Sequence, residues 1–137
     1  MIEKIREYVA KCPYIEELNQ ILINYMADDI KACSINEEVS YNPIVEKYIT
    51  GYKECQFRFN LDIKLHWNED LITNIENSKV YENFSQWLEK MDKAGNYPDI
   101  DGINIHYIGA TSNGYIYMTE SNEAIYRMSC VMNYGRS

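Results

Sequence analysis

Gln56-Phe57-Arg58-Phe59-Asn60-Leu61-Asp62-Ile63-Lys64-Leu65-His66-Trp67 is the stretch that decides the fold. Every second residue from Phe57 to Trp67 is apolar, and those between them, from Gln56 to His66, are polar or charged. Side chains of a β-strand point alternately to opposite faces, whereas a helix would scatter this pattern around its whole circumference. The stretch predicts one half-buried strand, Gln56 to Trp67. At about 3.3 Å per residue it reaches roughly 40 Å, well beyond the usual strand of about five or six residues. Such a strand ties a sheet together and needs an apolar partner against its inner face.

The next segment supplies that partner. Asn68 or Asp70 is placed to cap a helix whose apolar side is Leu71, Ile72 and Ile75. Asn77-Ser78 is expected to interrupt it, with Ser78 capping a second segment. There Tyr81, Phe84, Trp87, Leu88 and Met91 recur at spacings of three and four. That stripe is expected on the apolar face of the long strand, which removes it from the candidate binding surfaces. Gly95 stands where a left-handed C-terminal cap belongs, and Tyr97 to Gly102 reads as a loop. The last third returns to strands: Ile103 to Ile108, Tyr115 to Thr119 and Ala124 to Tyr134. Thr111-Ser112-Asn113-Gly114 carries an Asn-Gly hairpin signal between the first two, and Glu120 to Glu123 turns the chain into the third.

Upstream, Ile2, Ile5, Val9 and Cys12 recur at helical spacing, and the helix stops before Pro13. Tyr14 to Gln20 is a polar connection. Ile21 to Met26, Ile30 to Ile35 and Ile44 to Thr50 read as short strands. Asp28-Asp29 and Gly51 are turns, and Asn36 to Asn42 is a loop before Pro43. Strands grouped around one helical insertion give a single α+β domain over 1–137. Its sheet is expected to be mixed but mostly antiparallel, with helices on one face.

A length of 137 residues suits one domain with its own core. The net charge of −8 argues against tracking nucleic-acid phosphates, which needs a basic face. No apolar run is long enough to span a bilayer, and Met1 to Arg6 lacks the apolar stretch of a signal peptide. The thiols of Cys12, Cys33, Cys55 and Cys130 are therefore expected free, in a reducing cytosol. Thirteen tyrosines against three phenylalanines is the compositional oddity. Tyr serves strands and cores, and it is also enriched at protein interfaces.

No chemistry-bearing constellation stands out. The glycines form neither GxGxxG nor a P-loop, and the cysteines show no CxxC spacing, so neither a cofactor nor a metal is expected. Cys33 or Cys55 with His66 or His106 could make a nucleophile–base pair, but an unactivated Cys is more often a small buried hydrophobe. Asp28-Asp29 and Asp99 with Asp101 could do acid–base work, but loop acids are ordinarily solvated. Arg58, Asp62 and Lys64 on the polar side of the long strand face either solvent or a neighbouring molecule. No catalytic residue is assigned, and the chain is not expected to be an enzyme. The competing expectation is a small cytosolic enzyme with His66 or His106 as base, or a ligand-binding module of cystatin-like or dimeric α+β barrel outline, using a cleft beside the sheet.

Four stretches carry a resemblance. They are the early helix ending in Cys12-Pro13-Tyr14; Tyr41-Asn42-Pro43-Ile44-Val45-Glu46-Lys47-Tyr48-Ile49-Thr50-Gly51; Asn74-Ile75-Glu76-Asn77-Ser78 running into Tyr81-Glu82-Asn83-Phe84-Ser85-Gln86-Trp87-Leu88; and Thr111-Ser112-Asn113-Gly114-Tyr115-Ile116-Tyr117. In their order they resemble the tail terminator (tail completion) proteins of Gram-positive phages and phage-tail-like bacteriocins. The resemblance implies an α+β fold and a hexameric ring on the head-proximal end of the tail tube. Such a ring stops tube polymerisation and joins the tail to the head connector or collar, with no cofactor. The implied partners are other copies of the chain, the tail tube protein, and a connector, sheath or collar protein, without nucleic-acid recognition or a membrane. The implied location is a virion or tail-like particle assembled in the bacterial cytoplasm. A ring closes through heterologous contacts, in which unlike patches meet. The expected interface residues are Tyr41, Tyr48 and Tyr52 in the turn-flanked segment Ser40 to Tyr52, Asn113 and Tyr115 at the Asn113-Gly114 hairpin, and Arg58, Asp62 and Lys64 on the polar face of the long strand.

Overall fold

A computed structural model describes residues 1–14, 21–23, 33–38, 42–66, 71–112, 114–120 and 123–137. The chain runs α1 (Ile2–Val9), β1 (Ile21–Ile23), β2 (Cys33–Glu37), β3 (Ile44–Lys47), β4 (Lys53–His66), α2 (Leu71–Lys93), β5 (Asn104–Ala110), β6 (Tyr115–Glu120) and β7 (Glu123–Arg136). It is an α+β fold. The sheet follows the order β1-β2-β4-β7-β5, with β3 also on β4 and β6 also on β7. Among the described residues only β1 and β2 run parallel; the other pairings are antiparallel.

The alternating stretch is the spine of this sheet. β4 pairs with β7 from Lys53↔Arg136 to His66↔Glu123. Its apolar set, Cys55, Phe57, Phe59, Leu61 and Ile63, lies opposite Tyr134, Met132, Cys130, Met128 and Tyr126 of β7, and all are buried. A one-residue slip would turn this whole set to the other face, so the pattern fixes the register. Ile5, Tyr8 and Val9 of α1 and Tyr81, Phe84, Trp87 and Leu88 of α2 join the same core cluster, which places both helices on this face. Tyr81 donates its hydroxyl to the Tyr126 carbonyl, and the rings of Tyr8 and Trp87 meet at 5.2 Å. Gly95 closes α2 with φ 68°, its amide bonded to the Asp92 carbonyl and that of Asn96 to Met91.

Four expectations are corrected. First, α2 is one helix through Asn77-Ser78. Neither residue is a strong helix former, but propensity is a weak force beside the packing of Tyr81, Phe84 and Leu88. Second, β2 continues through Asn36 and Glu37, where a loop was expected. Asn36 suits the polar face because its amide reaches the Asp62 carboxylate. Third, β3 ends at Lys47, not Thr50, and 48–51 form the turn into β4, with Gly51 at φ 88°.

The fourth correction concerns Thr111 to Gly114, which is not a hairpin. β5 and β6 do not pair with each other; they run in the same sense along one edge of β7. Thr111 and Ser112 stay attached to that edge. The Thr111 amide donates to the Ser129 carbonyl at 2.8 Å, and the Ser129 amide donates to Ser112 Oγ at 3.1 Å. A type I′ turn would need positive φ at Gly114, and Gly114 has none. Gly114 is instead a point of close approach, since a Cβ there would stand 2.5 Å from Tyr81 Cγ. The reversal falls between the register partners Glu120 and Glu123. The expected caps Asn68 and Asp70, the turn Asp28-Asp29, and Trp67 lie outside the described residues.

Candidate assembly surfaces

β3 and β2 both pair with the side of β4 that β7 leaves open, while β5 and β6 pair with the far side of β7. β3 and the β5–β6 line therefore bound opposite edges of the sheet. Apart from Met1 and Tyr14, the exposed large apolar side chains whose placement the structure describes lie on these two edges; the side chains of 21–23, 65–66, 71–78 and 118 are outside that description. Val45, Tyr48 and Ile49 belong to the β3–β4 hairpin, and Ile49 is fully exposed. Tyr107, Tyr115, Ile116 and Tyr117 belong to β5 and β6. Globular folds blunt free strand edges with charge, Pro or cover, because unpaired backbone groups invite another chain. β3 keeps part of this protection in Glu46, Lys47 and the preceding Pro43, but both edges also expose apolar and aromatic side chains.

The expected interface residues fall into separate places. Tyr48 is at the hairpin tip, its hydroxyl 3.3 Å from Glu46 Oε2, and that carboxylate raises the pKa of the Tyr48 phenol. The Tyr52 ring lies 6.1 Å from that of Tyr48. Tyr52 covers the backbone of Gly135, where a Cβ would collide with its phenol. Tyr115 is exposed on β6. Tyr41 and Asn113 lie outside the described residues. Arg58 and Lys64 are on the polar face of β4; Arg58 is exposed, with Nε 3.2 Å from Gln56 Oε1, and Lys64 is half-buried.

Asp62 is not a surface group. It is 3% exposed and held by two bonds from Arg127, Nε to Oδ1 at 2.8 Å and Nη2 to Oδ2 at 2.9 Å. Asn36 Nδ2 donates to the same Oδ2 at 2.6 Å, and Ser34 Oγ donates to Asn36 Oδ1 at 3.1 Å. Arg127 lies 3.6 Å from the centroid of the Tyr117 ring, a cation–π distance. The hydrogen bond to Asp62 pushes the guanidinium pKa above its ordinary value, against the opposing effect of burial. Arg127 and Tyr117 were not singled out in the sequence. The available signal was the alternation in β7, which puts Arg127 on the polar face.

Among the described side chains the catalytic alternatives find little in the geometry; Asp28-Asp29 and the side chain of His66 lie outside them. Burial pushes the Cys33 thiol up to about 12 and raises Cys130 as well, so neither offers a thiolate near neutrality. Cys12 and Cys55 are buried too. His106 Nε2 lies 3.4 Å from Glu54 Oε2, an ion pair only when the imidazole is protonated. Asp99 and Asp101 are exposed loop residues. Among the described residues no three His, Cys, Asp or Glu side chains group as metal ligands, and no helix is long and apolar enough to cross a membrane. No family model matches the chain, and no curated protein matches it.

Proposed function

We propose that this chain is a structural protein of a phage-type tail. In this role it is the terminator that forms a ring on the head-proximal end of the tail tube, stops tube growth and meets the head connector or collar. One observation carries the proposal: unlike apolar patches occupy opposite edges of one sheet, at Val45, Tyr48 and Ile49 and at Tyr107, Tyr115, Ile116 and Tyr117. A contact between two different patches of the same chain is heterologous, and heterologous contacts build rings when the rotation closes. Tyrosine suits such contacts because it adds a large apolar face with a polar tip. Two of the four segments that resemble tail terminators contain the first patch and, apart from Tyr107, the second.

The test is co-expression with a tail tube protein from the same gene cluster, followed by electron microscopy of the tubes. Tubes of bounded length with this chain at one end are expected. Unbounded tubes in the presence of the chain, with no chain bound to them, would overturn the assignment.

A further inference from the structure

The helical face carries a groove of about 520 Å³ between α1, the last turns of α2 and the loop that follows. Trp87, Met91 and Pro98 supply apolar lining, and Lys4, Lys11 and Lys90 stand around it. Glu7 and Asp99 also border it, with Lys4 Nζ 3.7 Å from Glu7 Oε2. Three cations against two anions make this wall positive in a chain whose net charge is −8. A local reversal of sign beside apolar lining selects an anionic, partly apolar partner.

The spacing of the cations says what kind of anion fits. Lys4 sits near the start of α1 and Lys11 just beyond its end, so their backbones are roughly 10 Å apart at 1.5 Å per residue. One compact anion cannot sit on both. Carboxylates three residues apart on an extended chain in the polyproline II conformation, which has three residues per turn and rises about 3.1 Å per residue, share a face and span about 9 Å. α2 presents its C-terminal turns here, whose partial negative charge disfavours a dianion seated at the backbone. Carboxylates held out at the lysine tips avoid that field.

We propose that this groove binds an extended acidic segment of a partner protein. Its carboxylates engage Lys4, Lys11 and Lys90, and one apolar side chain enters beside Trp87, Met91 and Pro98. The site lies on the helical face and does not depend on assembly through the sheet edges.

The test is fluorescence anisotropy on the full chain, with labelled synthetic peptide DEFDPELD and its amide counterpart NQFNPQLN as probes. The acidic peptide is expected to bind at low salt and to weaken as salt rises. Three exposed pairs together predict a loss of about tenfold or more in the Lys4→Glu, Lys11→Glu, Lys90→Glu triple variant. A smaller loss is expected in the milder Lys4→Gln, Lys11→Gln, Lys90→Gln variant, with circular dichroism unchanged in both. Absence of binding at millimolar peptide, equal binding of the amide peptide, or unchanged binding by both triple variants would each overturn the proposal. Displacement by inorganic phosphate at constant ionic strength would overturn it in favour of a compact anion. None of these outcomes bears on tube termination, so the two proposals fail separately.

Discussion

Arg127 and Asp62 are register partners across the β4–β7 ladder, and they close a two-point salt bridge on the face of the sheet away from the helices. The Asp62 side chain is 5% exposed and that of Arg127 18%, so removing either strands the other in a poorly solvated place. Asp62→Ala is expected to cost about 2–4 kcal/mol, near the low end for breaking a buried pair because Arg127 keeps some access to water. Arg127→Lys keeps the charge but loses the fork, and should fall between wild type and Asp62→Ala. The solvated pair Lys93–Glu89, 2.9 Å apart, is the control: Lys93→Ala should change stability by less than about 1 kcal/mol. Urea denaturation of the three variants reads all of this.

Gly114 and Tyr81 make a second measurable contact. Gly114→Ala places a methyl against the Tyr81 ring and should cost about 1–3 kcal/mol as an overpacked site. Truncating the ring as well, in Gly114→Ala with Tyr81→Ala, should recover most of that increment. A double-mutant cycle with no coupling would show that the glycine serves the backbone and not the ring.

The difference between these sites shows what a single sequence discloses. The long strand, the stripe from Tyr81 to Met91 and the Gly95 cap were legible because each expresses a local period or a local conformational need. Asn113-Gly114 has the composition of a turn, but Gly114 answers a distant residue, Tyr81, through the absence of a side chain. The Asn77-Ser78 break was overruled in the same way, by packing further along the helix. At the candidate surfaces, the alternation placed Asp62 on the polar face but could not pair it with Arg127, 65 residues away. Nor could it put Val45 and Ile116 on opposite edges, which depends on strand order.

The four thiols provide a chemical check on the core. Cys12, Cys33, Cys55 and Cys130 are all buried, and burial keeps Cys33 and Cys130 protonated well into alkaline solution. Native protein at neutral pH should react with a thiol reagent far more slowly than protein in denaturant, where all four become accessible. Rapid native labelling of Cys33 would contradict the packing of β2 on β4.

Alkaline pH should unfold the protein through its buried phenols. Burial raises Tyr81 well above its ordinary value of 10.0, with the negative charge of Asp62 adding to it. Burial likewise raises Tyr8, helped by Tyr97 and Asp92. These groups keep their protons in the folded state while the unfolded chain releases them, so their contribution is intact below about pH 10 and declines as pH rises above it. Urea midpoints should therefore drop steeply above that pH, in step with tyrosinate absorbance. Tyr81→Phe should flatten the drop, at a constant cost of about 1 kcal/mol for the hydrogen bond to the Tyr126 carbonyl.

The central claim is that copies of this chain meet through unlike edges, and native mass spectrometry in the presence of tail tube protein tests it most directly. Two variants are needed: Tyr48→Asp with Ile49→Asp on the β3–β4 hairpin, and Tyr115→Asp with Ile116→Asp on β6. Wild type should form a closed ring, and each variant alone should remain monomeric. Their equimolar mixture should yield dimers joined through the two intact edges, and nothing larger. Rings formed by either variant alone would contradict the account.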